Sequence, residues 1–327
     1  MVPGVRPPSN YVLDPVDGFR NAEFRAWYRN YFRNRPVLIE GRVRWRELPA
    51  DVKPLIEERG WENCFANRSA CNFNLVREFY ASLRDLGLDR FQAYVRGTEV
   101  YVTPTTVADL LGAPEDVNAH CPWPSSDWTP SLDDIRSIIT VDGTPPHPRL
   151  IYQKDLRPLY RKLNIYARST FMRNDHHADF GHLHASYLMA LGDPSYTFDL
   201  PRLALSFIRM ASRSHSQRWS LTFGGLITAI CEDANVEWRE DDRVETSDAV
   251  VARGSFTKSG TAVARGVHGA GPSAEPADPA EEEVPEEDEP IRSMMHPRDL
   301  VGLTCRRALM RFGTGWPGGA PGGGVPV

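Results

Sequence analysis

Cysteine is scarce in this chain and irregularly spaced. The five cysteines, Cys64, Cys71, Cys121, Cys231 and Cys305, form no Cys-x-x-Cys pair. An odd, scattered set argues against a secreted disulfide framework and agrees with reduced thiols. No apolar run approaches the roughly 18 residues that a membrane-spanning helix needs. The N-terminal MVPGVRPPSNY lacks the apolar core of a secretory signal. These absences predict a soluble intracellular protein of nucleus or cytoplasm, with no membrane partner. One-sided charge is lacking as well. A formal charge of -5 over 327 residues gives no whole-molecule attraction to nucleic acid.

Catalytic signatures are also missing. There is no P-loop pattern, and Gly224-Gly225 sits at a helix entry without a lysine. There is no Gly-x-Ser-x-Gly elbow, and Ser214-His215-Ser216 reads as a serine-rich turn. A two-metal transposase or nuclease needs carboxylates clustered at strand ends. Few strands are predicted, and Asp109, Asp133, Asp134 and Asp175 read as helix-surface or helix-start residues. No cofactor and no small-molecule substrate is inferred.

What the chain does have is a core-forming middle. Hydrophobic residues make up 41% and aromatics 10%, enough to bury a sizeable interior. Residues 1–18 are rich in Pro and Gly and predict an irregular arm. A helix follows from Asn21 to Arg33, with Phe24, Trp27, Tyr28, Tyr31 and Phe32 on one face. The stretch Pro36 to Trp45 alternates apolar and polar residues as a strand or extended arm does, and Pro49 opens a short helix ending near Gly60.

The best-punctuated segment is NFNLVREFYASLRDLGLDRFQAYVRGTEVYVTPTTVADLLG, ending at Gly112. Asn72 or Asn74 caps its first helix, and Gly87 is the expected stop. Phe91–Val95 and Glu99–Val102 predict a hairpin around Arg96-Gly97-Thr98. Thr103 followed by Pro104 is the order expected at a helix start. His120 to Pro130 reads as a loop, and Ser131 precedes a helix with Asp133 and Asp134 in its first turn. Further helices are predicted over Leu156–Tyr166, His182–Leu191, Leu200–Ser212 and Leu221–Ala234.

The fold expected is mainly α: one multi-helix domain, residues 19–238, with a small β-hairpin. Residues 239–327 are expected to form a disordered tail, because Glu281 to Glu289 is a nearly continuous acidic block. A short helix is expected near 296–312, before the Gly- and Pro-rich end.

Two kinds of candidate site stand out. Arg25, Arg29 and Arg33 recur every four residues, and Arg42, Arg44 and Arg46 extend a basic stripe. Arginines beside aromatics are the ingredients of an RNA or DNA surface. The plainer reading is a solvated face opposite buried aromatics. His176, His177, His182 and His184, with Asp175 and Asp179, are the weak metal candidates. Their spacing fits no closed zinc pattern, and His182 and His184 lie about 200° apart on a helix. Cys64, Cys71, His120 and Cys121 likewise make a poorly spaced Cys3His set. No metal is therefore expected.

VREFYASL and YVRGTEVYVTPTTVADLLGAP resemble the "putative plant transposon protein" domain family. FDLPRLALSFI and WSLTFGGLITAICEDANVEW resemble two later helices of that family, in the same order along the chain. The resemblance covers roughly Arg35 to Glu237. TEVYVTPTTVADLLGAPED is more weakly similar to the plant mobile domain, whose preceding Trp-rich motif is not evident here. Both resemblances imply a protein encoded by, or derived from, a plant transposable element. Neither carries an active site over to these residues. The function expected is non-enzymatic, through self-association and RNA or DNA contacts, with Gag-like assembly as the concrete version. The alternatives are a remnant of a metal-dependent transposase or nuclease, and a degenerate fragment without selected function.

Overall fold

Local signals decide the central segment. In the computed structural model, which describes residues 19–67, 70–123, 129–172, 179–214, 220–247 and 249–257, helix α3 spans Phe73–Ser82. The Asn72 side chain caps it, accepting hydrogen bonds from the backbone N–H groups of Asn74 and Leu75, both at 3.1 Å. Leu75, Val76, Phe79 and Tyr80 are buried along it. The helix stops earlier than Gly87. Arg84–Gly87 is instead strand β3, paired antiparallel with β4, Arg90–Val95. All four β3 residues are exposed, so no apolar stripe holds them in a further helical turn, whereas pairing satisfies their backbone.

Strand β4 pairs with β5, Thr98–Val102, with Val95 opposite Thr98. The two-residue turn places both Arg96 (φ 51°) and Gly97 (φ 89°) in the left-handed region, the conformation that matches strand twist in a tight hairpin. Thr103 then accepts from the Thr106 N–H at 3.1 Å and opens α4, Pro104–Leu111. Gly112 closes it in the left-handed conformation.

The expected first helix changes type part-way. Ala22–Trp27 is α1, and Tyr28–Phe32 forms a π-helical turn. On an ideal α-helix Phe32 would sit about 80° round from Phe24. The additional residue of a π turn takes back about 100° and returns Phe32 to the buried side. Phe24 and Phe32 are buried, while Trp27, Tyr28 and Tyr31 are half-buried against the core.

The remaining helices are α2 (Lys53–Glu57), α5 (Leu132–Ile139), α6 (Pro158–Ser169), α7 (His182–Gly192), α8 (Leu200–Arg213) and α9 (Gly224–Asp233). Ser131 caps α5 and Asp199 caps α8. Helix α3 packs on the hairpin and on α9, α4 packs on α8 and α9, and α5 and α6 both pack on α7. Helices dominate, yet strands are not negligible: the described residues form one three-stranded and three two-stranded sheets. Among them, no helix is long and apolar enough to cross a membrane.

The fold runs past the boundary expected at residue 238, which corrects the start of the tail. Val244–Thr246 (β8) pairs antiparallel with β2, Ala70–Asn72. Val250–Val251 (β9) runs parallel to β1, Arg42–Val43. This return is polar, so hydrophobic patterning misses it. Backbone pairing and the burial of Val251 at 1% exposure hold it in place. The expected N-terminal arm, the acidic block and the helix near 296–312 lie outside the described residues.

Gly224 shows how closely the extended segment around Val37 and the strand β2 approach α9. A Cβ there would stand 2.7 Å from Cys71 Sγ and 2.8 Å from Val37 Cγ1. Glu40, in the same extended segment, is buried and accepts from the Gly225 and Leu226 N–H groups, each at 2.9 Å. A carboxylate delivered from 185 residues away thus satisfies the first turn of α9.

Candidate functional site

The six arginines of the predicted basic stripe separate into two groups. Arg29 and Arg33 are exposed and line one wall of a cavity of about 370 Å³. Arg25, one turn earlier, is half-buried and does not line it. Arg42, Arg44 and Arg46 are exposed on β1 and the turn after it, because Val43 takes the buried position between them. The Arg42 guanidinium donates to the Ala66 carbonyl at 2.9 Å, and Arg44 pairs with Glu47 at 3.1 Å. These three do not line the cavity of Arg29 and Arg33. The aromatics near the first group are largely committed to packing: Phe32 stacks on Tyr80 with centroids 6.3 Å apart, and Arg84 covers Phe24 at 5.1 Å.

Arg96 and Glu78, which line the same cavity, belong to a buried ion cluster. Arg96, at the hairpin turn, donates to both oxygens of Asp242 at 2.7 and 2.5 Å and to Glu78 of α3 at 3.2 Å. It also donates to the Glu237 carbonyl at 3.0 Å. Asp242 accepts in addition from Asn72 Nδ2 at 2.7 Å and from the Arg239 N–H at 2.7 Å. The three charged side chains are 4%, 8% and 1% exposed for Arg96, Glu78 and Asp242 respectively. Burial disfavours charge on each of them. The hydrogen bonds from Arg96, the Arg239 N–H and Asn72 outweigh that and hold the Asp242 carboxyl well below the usual range. At Glu78, burial wins over Arg96 and raises the carboxyl. At Arg96 the two carboxylates overcome burial and keep the guanidinium charged. The arrangement ties α3, the hairpin and the segment after α9 together. It explains why Arg96 occupies a left-handed conformation that costs a non-glycine residue about 1–2 kcal/mol. Sequence reading identified the Arg96-Gly97 turn and missed this partner set.

The metal candidates do not assemble among the described residues. His182 is exposed, with Nε2 2.7 Å from the Pro130 carbonyl oxygen. His184 is bound to Asn164 Oδ1 at 2.9 Å, and burial, aided by Arg168, lowers its pKa to about 3. His176 and His177 lie outside the described residues. Among the Cys3His set, Cys64 donates to the Gly112 carbonyl at 3.8 Å, and His120 is bound to Thr197. Burial pushes the thiols of Cys64 and Cys71 up to about 12 and that of Cys121 higher still. These are neutral core thiols at physiological pH. No three described His, Cys, Asp or Glu residues come together as a metal set.

A family model described as a "putative plant retrotransposon-related domain" matches residues 57–237, more than half of the chain. The chain belongs to this family. No curated protein and no solved structure matches it. The retrotransposon-related segment contains α3, the hairpin and the helices from α4 to α9; the motifs that carried the resemblance lie on α3, the hairpin, α4, α8 and α9. It ends at Glu237, shortly before the turn into β8 that supplies Asp242. The arginines of the predicted stripe, Arg25 to Arg46, precede it.

Within the retrotransposon-related segment, Arg59 shows a use of arginine that sequence reading missed. Its Nη2 donates to the carbonyl of Ala190, in the last turn of α7, at 3.2 Å, and to those of Asp193 at 3.2 Å and Tyr196 at 3.3 Å, just past its end. Arg35, outside the segment and 0% exposed, does the same for α8 through Ala211 at 3.1 Å and Ser214 at 3.0 Å. A cation at a helix C-terminus satisfies carbonyls left without partners and complements the helix dipole. Nothing local marks either residue for this use, since the helix ends they serve lie more than 100 positions away.

Proposed function

We propose that this transposon-derived protein is non-enzymatic and works by self-association and by contact with RNA or DNA, in the manner of a Gag-like assembly protein. The observation that supports the nucleic-acid part is the exposure of Arg29 and Arg33 beside one cavity. Exposed arginines near half-buried aromatics suit sequence-tolerant phosphate contact. The intracellular setting inferred from the reduced cysteines, in nucleus or cytoplasm, is part of the same proposal.

The test uses the purified full chain. Light scattering after size exclusion should give a mass above the monomer that rises with concentration. Fluorescence anisotropy should show RNA or DNA binding that weakens as salt increases, and the Arg29→Glu/Arg33→Glu variant should bind less tightly. A strictly monomeric protein without salt-dependent binding would remove the proposal. Divalent-dependent cleavage of labelled DNA would favour a nuclease remnant instead.

A further inference from the structure

The cavity beside Arg29 and Arg33 brings in a residue that no basic stripe in the sequence includes. Arg239, more than 200 positions away, lines the same cavity with Asn74 and Tyr28, and Asp241 stands at its edge. We infer that this cavity is a binding site for one nucleotide of a single-stranded nucleic acid, with Arg33 and Arg239 on its phosphate. The inference deepens the nucleic-acid reading above and rests on it for the class of ligand.

Four observations carry it. The first is size: about 370 Å³ lies in the range of small-molecule clefts and suits a single unstacked nucleotide better than a duplex. The second is charge. Arg96 is occupied by Asp242 and Glu78, whereas the Arg239 and Arg33 guanidiniums form no ion pair with another described residue, and both residues are exposed. Two carboxylates also line the cavity, the exposed Asp241 and Glu78, which is already paired with Arg96. The third is chemistry. Tyr28 packs on Phe19 with ring centroids 5.1 Å apart and gives the cavity an aromatic wall, while Asn74 gives it an amide. Aromatic face, amide and guanidinium together are what a sequence-tolerant single-strand site uses.

The fourth observation is rigidity. Arg239 donates its backbone N–H to Asp242, and Asn74 Nδ2 donates to the same carboxylate at 3.3 Å. The buried ion cluster therefore fixes the backbone beneath Arg239 and aims Asn74, so that little ordering is left for the ligand to impose. The path of the chain explains why the site is invisible in sequence. Arg33 comes from the end of the first helix and Arg239 from the turn that leads into β8, and they meet only once β8 has paired with β2.

The experiment measures binding of the full chain to a fluorescein-labelled 12-mer single-stranded RNA, and to its duplex, across a salt series. Arg239→Glu should weaken single-strand binding about fivefold or more and reduce the slope against log salt by about 1. Arg239→Gln should give a smaller loss in the same direction. Asp241→Asn should tighten binding, because it removes the opposing charge. Folding is checked by thermal melting; these substitutions leave the Arg239 N–H bond to Asp242 in place. If single-strand binding survives both Arg239 variants while Arg29→Glu/Arg33→Glu abolishes it, nucleic-acid contact stands and the cavity inference falls. Tighter binding of the duplex than of the single strand, or weaker binding by Asp241→Asn, also overturns the inference. A wild-type protein that binds neither RNA form removes the inference together with the reading it rests on.

Discussion

Arginines of this protein live in two environments, and only one of them is suited to meeting a partner. Arg35, Arg59 and Arg96 are turned inward, onto the carbonyls at the ends of α8 and α7 and onto a pair of buried carboxylates. Arg29, Arg33 and Arg239 are exposed around one cavity. The two sets are the same residue type with the same charge. The inward set is fixed by groups far away in the chain, and removing one of its members strands buried polar atoms. The outward set is exposed to solvent, so its removal should disturb the fold less. Basic stripes in a sequence therefore overstate the interface, and the arginines that break the pattern are the structural ones.

The largest expected effect attacks the inward set. Arg96→Ala leaves Glu78 and Asp242 buried without their cation and should destabilise the fold by about 3–5 kcal/mol. A urea titration followed by tryptophan fluorescence reads this directly; a loss under about 1 kcal/mol would mean that the cluster is held by something else.

His184 offers a second way to treat a buried base, by keeping it neutral. Its folded pKa of about 3 lies below the ordinary value of 6.5, so the unfolded chain takes up the proton first. The stability this protects is complete above about pH 6.5 and falls as pH drops toward 3. The loss should be on the order of 3 kcal/mol by pH 4, and His184→Gln should flatten that part of the profile. Asp242 contributes in the same direction at lower pH, since its depressed pKa makes it worth most above the ordinary carboxylate range. The raised pKa of Glu78 works the other way. An unchanged pH profile in the His184 variant would show that this histidine is accessible to protons in the folded state.

Thr103 sets the scale for a closure that is local in sequence. Thr103→Ala removes one cap bond to the Thr106 N–H and should lower stability by about 1 kcal/mol, well short of the Arg96 effect. Equal losses would erase the distinction between local and long-range closures. The smallest effect belongs to the outward set. Arg29→Glu/Arg33→Glu should change stability by no more than about 0.5 kcal/mol while weakening salt-dependent RNA binding. A variant that melts early instead would place these two residues with the inward arginines.

The legible part of the molecule is the part whose signals are short-range. Asn72, Thr103, Ser131 and Asp199 each cap a helix within three residues of the side chain that does it, so the helix starts follow from spacing alone. The misreadings fall where a distant partner intervenes. Gly87 looked like a helix stop, but β4 was available to pair with Arg84–Gly87. The polar stretch after residue 238 looked like tail because its attachment is backbone pairing to β1 and β2, which leaves no apolar period to read. The candidate stripe was half legible: exposure of Arg29, Arg33, Arg42, Arg44 and Arg46 follows from the helix and strand periods, whereas their division between two places, and the arrival of Arg239, do not.

By itself the sequence determined the helices and their caps, the hairpin and the lineage, because each rests on contacts between residues a few positions apart. Tertiary structure alone decided which charges are buried, where the fold ends and which arginines share a cavity. Those depend on pairs such as Arg96 with Asp242 and Glu40 with the first turn of α9, separated by 146 and 185 positions. Such pairs form only after the loops between them have closed around a core that no local pattern describes.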